Sequence, residues 1–252
     1  MISERAFAKS FTWFWHELVP LLTPRFVGLF NEAYEQRLLD KHGKTLTSVP
    51  MVVGTRADIV AEFAFRGAQM LRVATLDPST FLEDPAIWRE AAVRAFEVIQ
   101  RYEGIKPATL EPLSPTEMSE GSALVMQYAA LYNAFSSFDQ IEFCPRFPGA
   151  GFLNAAEGDL GIGRTLIEVK TTTRKVSGKD LRQLITYLAL DANANNLRWS
   201  RIGVFNPRRA TLHIADVDAL LLRLSGGKPR VDVLADLIAY VESSDLVADQ
   251  GF

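Results

Sequence analysis

The spacing of hydrophobic residues predicts helices over most of the first hundred residues. Apolar side chains recur every three or four positions at Phe7, Phe11, Phe14 and Leu18, and a second run of this kind extends over residues 26–38. Two further amphipathic patterns follow, at residues 56–74 and 85–102. Prolines then interrupt the pattern between residues 106 and 115, so we predict a helical N-terminal region at 1–110 and a second domain at 111–252.

The second part of the chain alternates helices with short strands. A capping box, Ser114 to Glu117, predicts a helix that ends near Phe135, and residues 177–180 form a second box that opens a helix ending near Ala192. Strands are predicted at residues 140–147, 152–160, 164–171, 198–205 and 211–214, and a last helix at 231–243. The segment Gly161-Ile162-Gly163 predicts a hairpin turn. The order is therefore helix, three strands, helix, two strands.

The composition of the chain excludes several classes of protein. The chain contains a single cysteine, Cys144, which excludes a disulfide framework and a multi-cysteine metal site. The N-terminus lacks the unbroken apolar core of a signal peptide, and no run of about 18 apolar residues exists. We therefore expect a cytoplasmic protein without a membrane partner. The Trp13 and Trp15 cluster predicts a core or an interface, so the N-terminal helices are the candidate surface for a second copy or a protein partner.

The charge is unevenly distributed along the chain. The net charge is −3, yet residues 146–230 contain 14 Lys or Arg and only 7 Asp or Glu. Such asymmetry is typical of a protein in which one part faces phosphate groups, although solvation of exposed strands and turns explains it equally well. Charge alone leaves both interpretations open.

The residues with the clearest chemistry lie around the predicted hairpin. Asp159 ends one strand, and Glu168 and Lys170 lie two positions apart on the next strand, so both side chains leave the same face of the sheet. Ile167 and Val169 face the opposite side, toward a core. Carboxylate oxygens suit Mg²⁺ or Mn²⁺, and a lysine beside such an ion can orient or deprotonate a water molecule. The hairpin is thus a candidate metal site.

This segment resembles the PD-(D/E)XK nuclease superfamily, with Asp159 as the first acid and Glu168-Val169-Lys170 as the E-x-K motif. Gln183 and Tyr187, which share a helix face, are similar to the Q-x-x-x-Y motif of the RecB and λ-exonuclease-like branch. The resemblance covers about residues 114–214. It implies an α/β fold with a restriction-endonuclease-like core, a central mixed sheet flanked by helices, here with an N-terminal helical region.

The resemblance also implies roles for these residues. Asp159 and Glu168 would hold the metal together with the carbonyl of Val169, Lys170 would position the attacking water, and Gln183 and Tyr187 would orient Lys170 or a substrate phosphate. The proline of the family motif is replaced by Gly158. An acid from the first core helix commonly completes the metal site in this family. Glu120 is our candidate for that acid and Glu117 the alternative, because Glu117 as a capping-box residue can simply bond the backbone.

Basic residues flank the predicted site where a phosphate backbone would pass. The candidates for nucleic-acid binding are Arg174, Lys175, Lys179, Arg182, Arg208 and Arg209. The sequence thus predicts a Mg²⁺- or Mn²⁺-dependent nuclease, acting on DNA ahead of RNA. Two alternatives remain open: an RNA-cleaving toxin or defence effector on the same core, and a non-catalytic nucleic-acid-binding subunit that retains the fold.

Overall fold

A six-stranded mixed sheet lies at the centre of the computed structural model, which describes residues 1–74, 78, 83–103, 112–194 and 196–243. Its strands are β1 (Glu35–Arg37), β2 (Ile141–Phe143), β5 (Leu160–Ile162), β6 (Thr165–Val169), β7 (Arg201–Asn206) and β8 (Thr211–Asp216). They are arranged in the order β1-β8-β7-β6-β5-β2, and only the β6–β7 pair is parallel among these neighbours. Two short strands, β3 (Arg146–Phe147) and β4 (Ala156–Glu157), pair separately.

Helices cover both faces of this sheet. They are α1 (Glu4–Lys9), α2 (Thr12–Leu18), α3 (Pro24–Ala33), α4 (Ala57–Ala74), α5 (Pro85–Glu103), α6 (Pro115–Asn133), α7 (Gly178–Asn193), α8 (Val217–Leu224) and α9 (Arg230–Glu242). Leu166 of β6 packs in a core with α1, α2, α7, α8 and α9, whereas Ile167 packs in a second core with α4 and α6. Because neighbouring residues of β6 pack in cores on opposite faces, the sheet is flanked by helices on both sides. This confirms the predicted α/β architecture with a central mixed sheet, which is consistent with a restriction-endonuclease-like core.

Local signals explain where the central elements begin. Helix α6 starts at the predicted capping box, in which Ser114 and Glu117 bond each other's backbone N–H groups. In the second box the Ser177 N–H donates to the Asp180 carboxylate over 2.8 Å at the start of α7. The β5–β6 hairpin turns at Gly163 and Arg164, and Gly163 has a φ of +56°, a conformation that glycine adopts without strain. Gly161 and Ile162, predicted to lie in the turn, belong to β5 instead.

Three other elements differ from the prediction. The first helix breaks into α1 and α2 at Phe11, whose φ of +51° is left-handed. The helix predicted to reach Leu38 ends at Ala33, because the next residues pair with β8 as strand β1. The strand predicted at 140–147 divides at Cys144, whose φ is +55°, so its second half pairs with β4 outside the main sheet. Apolar spacing does not reveal these backbone turns.

The N-terminal region and the rest of the chain share the central sheet. Strand β1 pairs antiparallel with β8, and helix α4 packs along α6. The domain boundary predicted near residues 106–115 falls mostly on residues 104–111, which lie outside the described part of the chain. Within the described residues, no helix is both long and apolar enough to cross a membrane.

Candidate active site

Hairpin β5–β6 brings the two predicted acids together. Leu160 pairs with Ile167, and continuing this antiparallel register by one residue places Asp159 opposite Glu168. The Val169 N–H donates to Asp159 Oδ2 over 2.7 Å, which fixes the Asp159 carboxylate at the end of the strand. Both carboxylates therefore belong to the sheet face that α1 and α7 cover.

Burial raises the pKa values of both carboxyl groups. Glu168 is fully buried, and its Oε2 has no hydrogen-bond partner among the described residues. Burial and the negative charge of Asp159 raise the pKa of Glu168, while Lys170 lowers it. Burial also raises the pKa of Asp159, although the Val169 N–H and Lys170 oppose this. A fully buried carboxyl group with an unsatisfied oxygen, opposite the partly exposed carboxyl group of Asp159, forms a site that a cation would stabilise.

Lys170 connects this pair to helix α7. Its Nζ lies 2.6 Å from Glu168 Oε1 and donates to Gln183 Oε1 over 3.0 Å. The Gln183 Nε2 in turn donates to the Tyr187 hydroxyl over 2.9 Å. Burial raises the pKa of Tyr187, with contributions from the nearby carboxylates, so this phenol stays protonated. The structure thus joins the E-x-K and Q-x-x-x-Y residues in one hydrogen-bonded chain.

Helix α1 adds two residues that the sequence analysis missed. Glu4 Oε1 accepts hydrogen bonds from Gln183 Nε2 and from the Tyr187 hydroxyl, both at 3.2 Å. Burial alone would lower the pKa of Arg5, but the charges of Glu168 and Asp159 raise it above its ordinary value. Glu4 and Arg5 lie more than 150 positions before the hairpin in the sequence. The apolar spacing predicts a helix here, but no local pattern distinguishes these two residues from its other polar residues.

Glu62 of α4 is a fourth acid, and it is electrostatically coupled to Asp159. Burial raises the pKa of Glu62, Arg66 lowers it, and the charge of Asp159 raises it further. Arg66 NH2 lies 2.6 Å from Glu62 Oε1, one helical turn along α4. The amphipathic pattern of residues 56–74 identifies this helix but gives no reason to choose Glu62 from its polar face.

Glu120, the predicted third metal ligand, is bonded to Arg208, Val52 and Thr55. Its Oε1 lies 2.7 Å from Arg208 NH2 in an ion pair whose side chains are both 2% exposed. Its Oε2 accepts hydrogen bonds from the Val52 N–H and the Thr55 hydroxyl. The alternative, Glu117, binds Arg56 at 2.7 Å. The expectation that Glu120 joins the metal carboxylates is therefore not supported, because its charge is already neutralised by a buried arginine.

Some of the predicted basic residues contact other side chains of the chain, and the others are exposed. Arg208 is 2% exposed and ion-paired with Glu120, so its side chain faces the core and not the surface on which nucleic acid was expected. Arg174 forms a two-pronged ion pair with Asp180, and Arg182 lies over the ring of Trp15. In contrast, the side chains of Lys175 and Lys179 are exposed. Arg209 is partly exposed, and its NH1 donates to the Thr173 carbonyl over 3.2 Å.

The candidate site therefore consists of two carboxylates rather than a cluster of ligands. No group of three or more His, Cys, Asp or Glu residues suited to a metal ion occurs within the described ranges. A comparison of the sequence with models of protein families gives no match, and neither does a comparison with curated proteins. The functional interpretation consequently rests on the geometry of Asp159, Glu168 and Lys170.

Proposed function

We propose that this chain is a metal-dependent nuclease that hydrolyses phosphodiester bonds, in DNA ahead of RNA, with Mg²⁺ or Mn²⁺. The observation that carries the proposal is the position of Lys170, whose Nζ lies 2.6 Å from the buried Glu168 and 3.0 Å from Gln183. An ammonium group held between a carboxylate and an amide oxygen is suited to binding a nucleophilic water and a phosphate oxygen at once.

The donor set of the site fits a hard divalent cation. Asp159 and Glu168 would hold it, joined by the Val169 carbonyl as the family resemblance implies. The fit is supported by the buried, unpartnered Oε2 of Glu168, which lacks any donor within the described chain. When bound, such an ion lowers the pKa of a coordinated water and offsets negative charge on the phosphate.

The chain's own residues would then orient the reaction. Gln183 fixes the Nζ of Lys170 through its Oε1, and its Nε2 is held by Tyr187 and Glu4, so its amide cannot flip without losing these contacts. Lys170 would direct one of its N–H groups at the attacking water. Arg5, whose pKa is raised by the charges of Glu168 and Asp159, would add positive charge beside the developing phosphorane.

The test is cleavage by the purified chain of linear, circular and single-stranded DNA and of RNA, with Mg²⁺, Mn²⁺ or EDTA. Metal-dependent cleavage of DNA that is lost in a parallel preparation of Glu168→Gln supports the proposal. Cleavage of RNA alone would instead favour the RNA-cleaving effector. Tight binding without cleavage of any substrate would overturn the proposal in favour of a non-catalytic subunit. A preference for linear over circular DNA would indicate action from strand ends.

A further inference from the structure

One segment at the edge of the sheet near Lys170 has no role in the nuclease chemistry described above. Residues 37–56, which we call the edge segment, run from the last residue of β1 to the residue before α4. Strand β1 ends at Arg37, which pairs with Thr211, the first residue of β8. Strand β8 begins just after the end of β7, and β7 runs parallel to β6. The edge segment therefore leaves the sheet at the same edge as Lys170, which follows the last residue of β6.

Buried charged groups fix the backbone of the edge segment. The Val49 N–H donates to the Arg208 carbonyl over 2.8 Å. Glu120, which is ion-paired with Arg208, accepts a hydrogen bond from the Val52 N–H over 3.3 Å. The same carboxylate accepts one from the Thr55 hydroxyl over 3.1 Å. The loop between Val49 and Thr55 is thus held in one conformation by the fold itself, so it is preorganised for a partner.

This fixed loop presents apolar side chains to solvent. Val53 is 100% exposed, Met51 53% and Val52 39%. We call these three residues the apolar tip. A single exposed apolar residue is ordinary, but three consecutive ones on a loop with a fixed backbone form a surface that folding alone does not require. The apolar tip therefore indicates a partner that offers apolar surface at this edge of the sheet.

The charge of the edge segment indicates the class of that partner. The segment contains four Lys or Arg and one Asp. Lys41 and Lys44 are exposed, and the acid, Asp40, accepts hydrogen bonds from the backbone N–H groups of His42 and Lys44. Basic residues beside an apolar tip fit a nucleic acid with unpaired bases, because its phosphates are charged and its base faces are open. In a duplex these faces are stacked, and opening them costs free energy.

From these observations we propose that the edge segment binds single-stranded DNA next to the candidate active site. Lys41 and Lys44 would contact phosphates, and Met51 and Val53 would pack on an unpaired base. The choice of DNA as partner rests on the proposed function, since a strand that reaches Lys170 passes this edge of the sheet. The inference adds the form of the substrate, which is an unpaired strand or a frayed end. Binding by the edge segment requires neither metal nor cleavage.

The experiment measures the affinity of the full chain, in EDTA, for a labelled single strand and for a blunt duplex of the same length by fluorescence anisotropy. Met51→Gln combined with Val53→Gln should weaken single-strand binding about tenfold and duplex binding less than about twofold. Both side chains are exposed, so the fold should be unaffected. An unchanged affinity for the single strand would overturn the proposal, and so would equal losses for the two forms of DNA.

Phe138→Gln is the matched control for the apolar tip. Phe138 is 94% exposed, and it lies at the opposite edge of the sheet, where the Gly163 N–H of the β5–β6 turn donates to the Gln140 carbonyl. This variant should change single-strand affinity less than about twofold. A loss equal to that of the tip variant would mean that DNA responds only to exposed apolar surface, and would overturn the proposed site.

The charge of the edge segment has a test of its own. In Lys41→Gln combined with Lys44→Gln, the slope of log K against log salt for the single strand should lose about 0.7 for each phosphate contact removed, about 1.4 in total. Lys9→Gln combined with Arg25→Gln removes two exposed charges from helices α1 and α3 and should change this slope much less. Equal changes in the two double variants would mean that only net charge matters, and would overturn the assigned contacts.

Two further arms separate this inference from the nuclease proposal and from another partner. Glu168→Gln should lose cleavage yet retain single-strand binding, so a failure of the nuclease proposal leaves the binding result readable. Metal-dependent cleavage by a chain whose single-strand affinity does not depend on Met51 and Val53 would overturn the inference alone. Self-association in sedimentation velocity that the tip variant removes, together with unchanged DNA binding, would overturn it in favour of a second copy of the chain.

Discussion

Glu4 and Gln183 meet in a hydrogen bond of 3.2 Å although 179 positions separate them along the chain. Glu4 also accepts from Tyr187, so the first helix holds the same amide that holds Lys170. The N-terminal region, which the sequence predicted only as a surface for a second copy or a protein partner, is therefore part of the candidate active site.

Removal of Glu4 should lower activity by loosening Gln183. In Glu4→Gln we expect the rate of metal-dependent cleavage to fall by about tenfold, since the amide keeps some hydrogen bonds but loses the charge. The KM for DNA should change little, because Glu4 acts through Gln183 rather than on the substrate. Glu17→Gln, in the neighbouring helix α2 and exposed, is the control. A loss confined to KM would contradict a positioning role.

In the proposed nuclease, Lys170 is the residue on which cleavage should depend most directly. Lys170→Met keeps the aliphatic stem but removes the ammonium, and we expect the rate to fall at least about hundredfold. The fold should survive because Glu168, whose pKa is already raised, can take up a proton when its partner is lost. The comparison is Lys228→Met, which breaks an ion pair of 2.8 Å with Asp236 on α9. Full activity in Lys170→Met would refute the assigned site.

Measurements of Mn²⁺ affinity should distinguish Glu168, a proposed metal ligand, from Glu120, which pairs with Arg208. By calorimetry, Asp159→Asn and Glu168→Gln should each weaken Mn²⁺ binding markedly, because each removes one of two charged ligands. Glu120→Gln should leave Mn²⁺ binding unchanged but lower the free energy of unfolding by about 3–5 kcal/mol, since it leaves Arg208 buried without its counter-charge. Urea denaturation measures this second quantity. Unchanged stability together with lost metal binding in Glu120→Gln would restore the original expectation that Glu120 is a ligand.

The Glu117–Arg56 pair gives a stability that depends on pH. The hydrogen bonds from Arg56 lower the pKa of Glu117 from 4.5 to about 2, despite the opposing effect of burial. A carboxyl whose pKa is lower in the folded state stabilises the fold above its unfolded pKa, and this contribution disappears as the pH falls from about 4.5 to about 2. The loss is at most about 3 kcal/mol. In Glu117→Gln, thermal unfolding measured from pH 6 to pH 2 should show a correspondingly weaker pH dependence.

The sequence predicted the arrangement of residues at the hairpin better than the contacts that surround it. Asp159, Glu168 and Lys170 are close in the chain, so the predicted hairpin and strand alternation place them together, whereas Gln183 and Tyr187 were expected beside them only through the family resemblance. Glu4, Arg5 and Glu62 reach the site only through tertiary packing of α1 and α4, which no local pattern encodes. The same limit explains Arg208: a turn with two adjacent arginines suggests an exposed surface, but the short 3₁₀ turn (Pro207–Arg209) directs one of them into the core.

The final prediction concerns the exposed lysines. Lys175→Gln combined with Lys179→Gln should weaken binding to duplex DNA regardless of sequence, and the slope of log K against log salt should lose about 0.9 for each phosphate contact removed, about 1.8 in total. Arg174 and Arg182 are omitted because Asp180 and Trp15 already engage them.

The control is Lys9→Gln combined with Arg25→Gln, two exposed residues of the N-terminal region. Arg5 does not belong in this control, because it is electrostatically coupled to Asp159 and Glu168. We expect the control to change the slope much less, since the N-terminal region lies outside the basic part of the chain. A larger decrease of this slope in the control than in the lysine variant would place the nucleic acid, or another partner, on the N-terminal helices. An unchanged slope for the lysine pair would mean that Lys175 and Lys179 only solvate the segment before and at the start of α7.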